Sequence, residues 1–211
     1  MAIRRQPGPH FELEQAALTA GAKFVCGIDE AGRGPLAGPV VAAAVILDPA
    51  NVPPGLDDSK KLSEAARENL FAHILATAEV GVGVADVGRI DRDNILAATL
   101  WAMAQAVQDL PKRPCLALVD GNRPPALACD CQTVVGGDET CASIAAASII
   151  AKVTRDRIML AIDRQYPDYG FASHKGYGSP YHLTALARLG PCEHHRRSFS
   201  PVRNALEAMV R

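Results

Sequence analysis

Two apolar runs in this chain break off at carboxylates, and that narrows the folds open to it. Phe24-Val25-Cys26-Gly27-Ile28 runs into Asp29 and Glu30, and Cys115-Leu116-Ala117-Leu118-Val119 runs into Asp120. Apolar runs of this length fit strands buried on both faces. An acid at the end of such a strand sits at high free energy unless something offsets its charge. A further acid, Asp138, follows Val134-Val135-Gly136-Gly137 and precedes a long helical stretch. Clustered Asp and Glu oxygens suit Mg²⁺ or Mn²⁺. If the first and fourth strands are parallel neighbours, Asp29 and Asp120 end side by side, ~4.8 Å apart. Paired catalytic ions lie ~3.5–4 Å apart, so one Asp can bridge both. Glu30 points to the opposite face of a regular strand, so it joins the site only where the strand ends or bulges. Gly32 and Gly34 allow such a turn. For any one of these acids, a surface position at a strand end is the simpler reading. Four acids so placed favour a site.

The same patterning predicts strands over 24–30, 40–47, 80–87, 115–120 and 132–135. Helices are predicted over 11–20, from Ser63 to about 77, and over 91–110, 140–165, 180–189 and 201–209. Ser63 is placed to cap its helix, with Glu64 near the positive end of the helix dipole. Three early strands with short links, then helix–strand units, describe an α/β chain: a mixed five-stranded sheet flanked by helices. The C-terminal third is helical and is expected to pack on that body. No repeat or low-complexity linker interrupts it.

Composition supports this reading. Apolar residues make up 48% of the 211 but aromatics only 5%, so the core is aliphatic and suits Ala-rich helices on buried strands. No apolar stretch approaches the ~20 residues that span a bilayer, and the basic start lacks the apolar stretch of a secretory signal. Six cysteines without a compact disulfide framework point to a reduced, cytoplasmic protein. Cys129-Asp130-Cys131 lacks the second thiol pair of a zinc site. The net charge of −1 excludes a wholly basic nucleic-acid binder. Its distribution is uneven: residues 1–140 hold 12 Lys+Arg against 18 Asp+Glu, and residues 141–211 hold 10 against 5. Either an acidic centre faces a cationic surface, or these are solvated helix faces.

Other segments carry weaker signals. Gly32-Arg33-Gly34 lets backbone N–H groups approach an anion or sugar, and Arg33 adds a phosphate-binding side chain; a tight turn explains it equally. Lys60 and Lys61 stand in a loop before a helix and suit phosphate contacts, or simply solvent. Tyr177, in His174-Lys175-Gly176-Tyr177-Gly178-Ser179, can stack on a sugar or base, or can be a packing residue. Glu193-His194-His195-Arg196-Arg197 reads as a basic cluster with surface histidines.

Taken together, these segments resemble bacterial ribonuclease HII. The likeness rests on residues 26–41, on Asp58-Ser59-Lys60-Lys61-Leu62, Asp120-Gly121-Asn122 and Gly137-Asp138, and on residues 143–156, 174–177 and 195–202, in the family's order. It covers about residues 22–205. It implies an RNase H-like fold with a helical C-terminal extension, and a metal-dependent endonuclease that hydrolyses the RNA strand of RNA–DNA hybrids. It further implies cutting 5′ to a single ribonucleotide embedded in duplex DNA, leaving 3′-hydroxyl and 5′-phosphate ends. Its catalytic and metal-binding acids fall on Asp29, Glu30, Asp120 and Asp138. The loop that reads the 2′-hydroxyl falls on Gly32, Arg33 and Gly34, and the junction-sensing tyrosine on Tyr177. One departure is Arg89-Ile90-Asp91, where many relatives have an acid first.

The resulting expectation is a monomeric enzyme. Residues 1–21 would form a partly irregular lead, and residues 22–211 one catalytic domain that includes a helical part over 166–211. Its chemistry would be two-metal phosphodiester hydrolysis with Mg²⁺ or Mn²⁺. Its partners would be RNA–DNA hybrids and DNA duplexes with embedded ribonucleotides, with no membrane partner. The alternatives are a DNA-only nuclease of the same fold and a non-catalytic nucleic-acid-binding module.

Overall fold

The structure, a computed structural model, describes residues 8–209. Its five strands are β1 (Val25–Ala31), β2 (Val40–Ile46), β3 (Glu79–Ala85), β4 (Leu116–Asp120) and β5 (Asp130–Val134). Its helices are α1 (Glu12–Thr19), α2 (Glu64–Thr77), α3 (Val87–Asp93), α4 (Ile95–Asp109), α5 (Gly137–Thr140), α6 (Ala142–Gln165), α7 (Phe171–His174), α8 (Pro180–Leu189) and α9 (Ser200–Met209). A 3₁₀ turn spans Pro167–Tyr169.

The sheet order is β3-β2-β1-β4-β5. β1 pairs antiparallel with β2 across a short link, and β2 pairs antiparallel with β3 across a longer one that contains α2. β1 and β4, then β4 and β5, pair parallel. Every residue of β2, Val40-Val41-Ala42-Ala43-Ala44-Val45-Ile46, is buried. Helices cover both of its faces, so polar alternation is absent. Ala42 and Ala44 pack with Ala98, Ala102 and Ala106 of α4 on one side. Ala43 and Val45 pack with α2 and α6 on the other.

Glycines let the helices close on the sheet. A Cβ on Gly83 would lie 2.0 Å from the Ala102 carbonyl oxygen of α4. One on Gly27 would lie 2.1 Å from the Ser143 carbonyl carbon, so the start of α6 rests directly on β1.

One predicted helix is divided. Over 91–110, Asn94 takes φ 70° and ends α3; its side chain accepts from the Leu96 and Ala97 amides and starts α4 afresh. The helix predicted over 140–165 is continuous as α6 but starts at Ala142, because Cys141 is extended, and a separate turn, α5, precedes it. Asp138 therefore lies inside that turn rather than in a loop. The third strand stops at Ala85, because the Asp86 side chain caps α3 by accepting from Arg89 N. The fifth strand starts at Asp130, earlier than its apolar pattern, and its first four residues are exposed at the sheet edge.

The lead over residues 8–21 is tied to the body. Buried Glu14 accepts from Ser143 N at 2.7 Å and from Cys141 Sγ at 3.1 Å. His10 exchanges backbone hydrogen bonds with Thr140 and Ala142. The Arg89-Ile90-Asp91 departure is structural in use: Arg89 stacks on Trp101, and Asp91 accepts from Arg197 N and Ser198 N. Among the described residues no helix is long and apolar enough to cross a membrane.

Candidate active site

The parallel register sets Ile28 beside Val119. The next residues, Asp29 and Asp120, therefore stand side by side where the β1–β4 pairing ends, while Asp29 still pairs with Ala43 and Asp120 with Val134. Because α6 starts on Gly27, the preceding turn α5 is drawn to the same edge and carries Asp138 there. Asp29, Asp120 and Asp138 each offer an oxygen, and these oxygens lie within 4.8 Å of one another. Fixed backbone donors orient two of them: Glu30 N donates to Asp29 Oδ1 at 2.7 Å, and Gly137 N to Asp120 Oδ1 at 2.8 Å.

Glu30 lines the same cleft but stands outside that trio. Its Oε1 lies 3.3 Å from Arg33 Nη1. Burial, and then the charges of Glu30 and Asp120, hold the Asp29 carboxyl well above the usual range. Burial raises Glu30 too, against the pull of Arg33, and raises Asp138 together with Asp120 and Asp58. Buried like charges at this spacing need a cation.

Lys60 supplies part of it. Its Nζ lies 3.4 Å from Asp138 Oδ2 and 3.5 Å from Asp58 Oδ1. Burial pulls its pKa down, but Asp58, Asp138 and Asp29 together hold it above the usual lysine value. The loop carrying it is seated from beneath, where Ser148 of α6 donates to Ser59 Oγ at 2.7 Å. Lys61 is turned outward onto Glu139 at 2.9 Å.

The glycine loop and Tyr177 form the other wall of the cleft, which has a volume of about 280 Å³. Gly32 has φ +99°, and a Cβ there would meet Arg155 Nε at 2.0 Å. A Cβ on Gly34 would instead stand 3.4 Å from the Tyr177 ring. The two glycines thus serve different ends: Gly32 packs inward and Gly34 keeps the front open. Tyr177 is half exposed. Two larger clefts, of about 420 and 640 Å³, lie elsewhere and hold no acidic trio.

Beneath Tyr177 lies a histidine network whose partners fix every tautomer. His182 Nδ1 bonds the Tyr177 carbonyl at 2.8 Å, so it carries the proton. Its Nε2 then accepts from His195 Nε2 at 3.0 Å, and His195 Nδ1 accepts from Cys192 N at 3.0 Å. His174 Nδ1 accepts from Gly176 N, leaving its Nε2 to donate to the Tyr169 carbonyl. All three rings are therefore neutral. Burial, then neighbouring His182, lowers His195 to about 4, and burial lowers His182 as well. The unfolded chain takes up these protons first, so this stability is complete above about pH 6.5 and is lost as pH falls toward about 4. Thermal melts across that range should show it, and His195→Gln should flatten the acid limb. A melting temperature constant from pH 7 to pH 4.5 would contradict the network. His195, expected at the surface, is buried.

The Ribonuclease HII family profile matches residues 26–202. The chain belongs to the ribonuclease HII family. It is 60% identical to a ribonuclease HII of Azorhizobium caulinodans over 202 residues, which is 96% of this chain and 78% of that protein. The crystal structure of ribonuclease H2 from Pyrococcus horikoshii superposes with TM-score 0.71 at 26% identity, covering 89% of this chain and 99% of that one. The ribonuclease HII of Archaeoglobus fulgidus, solved in complex with PCNA, superposes with TM-score 0.66 at 28% identity over 78% of this chain and 87% of that one. The mixed sheet is thus the RNase H-like fold. Membership of the ribonuclease HII family makes the chain a metal-dependent endoribonuclease acting on RNA–DNA hybrids. Its donor set fits that dependence: three carboxylates converge within 4.8 Å, burial raises the pKa of Asp29 and of Asp138, and their oxygens suit hard divalent ions.

Sequence reasoning assigned no role to several residues that build this cleft. Asp58, Ser59 and Ser148 seat the Lys60 loop, and Arg155 and Arg196 are buried behind the glycine loop rather than lying on a cationic surface. Arg155 shares a helical stripe with Ala151, Met159 and Ile162, and that stripe was a readable sign of burial.

Proposed function

We propose that this chain incises duplex DNA on the 5′ side of a single embedded ribonucleotide, by two-metal-ion hydrolysis that leaves 3′-hydroxyl and 5′-phosphate ends. The observation that carries this reading is one cleft that sets Asp29 and Asp120, with Asp138 within 4.8 Å of both, against Gly32–Gly34 and Tyr177. Asp29, Asp120 and Asp138, with Glu30 as the fourth acid, would hold Mg²⁺ or Mn²⁺. Bound there, divalent ions supply Lewis acidity and offset charge on the phosphate oxygens.

The remaining residues place the substrate. A 2′-hydroxyl distinguishes RNA from DNA. Cutting on the 5′ side uses the ribonucleotide's own 5′-phosphate, which its 2′-hydroxyl is not placed to attack. The hydroxyl is therefore read and not consumed, and water must be the nucleophile. Backbone amides of Gly32–Gly34 would read it, Tyr177 would stack at the junction, and Arg33, Lys60 and Lys61 would meet phosphates. Its six free thiols support a reduced, cytoplasmic setting, and the enzyme would act as a monomer.

An end-labelled duplex with one ribonucleotide, beside an all-DNA control, tests this. Cleavage is expected only 5′ to the ribonucleotide and only with Mg²⁺ or Mn²⁺. Cutting of the control, or 2′,3′-cyclic phosphate ends, would overturn it.

A further inference from the structure

The two largest fully buried side chains are arginines, Arg155 at 1% exposure and Arg196 at 0%. Neither forms a salt bridge among the described residues. A buried charge needs some other offset, and here backbone carbonyls provide it. Arg196 donates to Arg33 O at 2.9 Å, Gly38 O at 3.0 Å and Pro39 O at 3.3 Å, and also to Gly32 O. Arg155 donates to Pro39 O at 3.0 Å, to Ala37 O at 3.1 Å, and across to Lys175 O at 3.0 Å.

This arrangement decides where the loop's amides point. In a trans peptide the carbonyl and the following N–H point in opposite directions, and no cis bond occurs among the described residues. With the Gly32 and Arg33 carbonyls turned inward onto Arg196, the Arg33 and Gly34 N–H groups face outward. No group among the described residues accepts from them. Arg155 sets the second dimension. It ties the glycine loop to Lys175, two residues before Tyr177, and Leu36 N donates to Gly176 O beside it.

We propose that Arg155 and Arg196 are positioning residues for ribonucleotide discrimination: Arg196 aims the Arg33 and Gly34 amides, and Arg155 fixes the gap between Gly34 and Tyr177. The proposal rests on the reading of single-ribonucleotide incision. A lone ribonucleotide presents one 2′-hydroxyl in one register. A continuous hybrid presents one at every register and so tolerates a misaimed loop. The acid trio is held by other contacts, and metal binding does not depend on either arginine.

Arg155→Lys and Arg196→Lys keep the charge but lose the fork of donors. Each should lower kcat/KM on a one-ribonucleotide duplex at least about tenfold more than on a continuous RNA–DNA hybrid, as expected for losing about one hydrogen bond. Calorimetric Mn²⁺ affinity should stay within about twofold of wild type, against the ~10-fold or larger loss typical when a metal site is disturbed. Equal loss on both substrates, or none, would overturn the positioning role while leaving the incision reading intact. Failure of the wild type to cut at the single ribonucleotide would overturn both. Where a variant does not fold, amide NMR of the wild type decides. The Arg33 and Gly34 resonances should shift with the ribonucleotide duplex and not with the all-DNA duplex. Identical shifts with both would overturn the proposal.

Discussion

Asp29→Asn should cut no better than about one-thousandth of wild type, a barrier increase of about 4 kcal/mol, while the metal-free protein becomes more stable. Both effects have one cause. Asp29 is buried, its oxygens stand within 4.8 Å of those of Asp120 and Asp138, and burial with these neighbours raises its pKa. The folded carboxyl holds its proton to higher pH than the unfolded one. The site therefore destabilises the apo fold progressively as pH rises through that range. A neutral amide removes the repulsion, and the gain should be ~0.5–2 kcal/mol, as for other residues kept for activity against stability. Asp120→Asn should behave alike. Paired melts with and without Mn²⁺ read this out: the wild type should gain stability with the ion and the variant should not. Hybrid binding should be largely retained, because the proposed phosphate contacts lie on other residues. Full activity in either variant would remove these acids from the chemistry.

Gly27→Ala should have the largest effect on the fold. The added methyl would sit 2.1 Å from Ser143 C, 2.3 Å from Ile144 N and 2.4 Å from Ser143 O. These are backbone atoms at the start of α6, and no rotamer change clears them. The helix must lift from β1, at ~3 kcal/mol or more given that even flexible cores lose 1–3 when overpacked. For a chain of this size that lowers the melting temperature by roughly 10 °C. Lifting α6 also draws α5 and Asp138 away from Asp29, so activity should fall beyond what the unfolded fraction explains. Gly88→Ala is the control: its Cβ would meet only Asp86 Oδ1, at an ordinary 3.5 Å. A Gly27→Ala protein melting within about 2 °C of wild type, less than the ~2–4 °C per kcal/mol of a domain this size, would show that the helix–strand contact is looser than drawn.

Much of this was readable in the residues. An unbroken apolar run such as β2 fits only a strand covered on both faces, and acids ending two parallel strands must meet. Local exceptions were hidden. Asn94 interrupts a continuous helical pattern, and Cys141 shifts the start of α6, each through one residue's backbone angles, which periodicity does not register. Burial of charge was hidden too. Glu14 and Arg196 gave no sign of it because their compensating partners are backbone groups far along the chain, and His195, expected at the surface, is buried between the His182 ring and the Cys192 amide. Glu30 sat at the limit of strand reasoning. It still pairs with Ala42 of β2, but the β1–β4 pairing has ended before it, and its carboxylate lines the cleft outside the trio, paired with Arg33.

The claim beneath all of this is that Asp29, Asp120 and Asp138 form one divalent-ion pocket. Anomalous diffraction from crystals soaked in Mn²⁺ tests it most directly. The expected map shows two peaks ~3.5–4 Å apart, bounded by oxygens of these three side chains. Peaks elsewhere, with the three carboxylates unliganded, would contradict it.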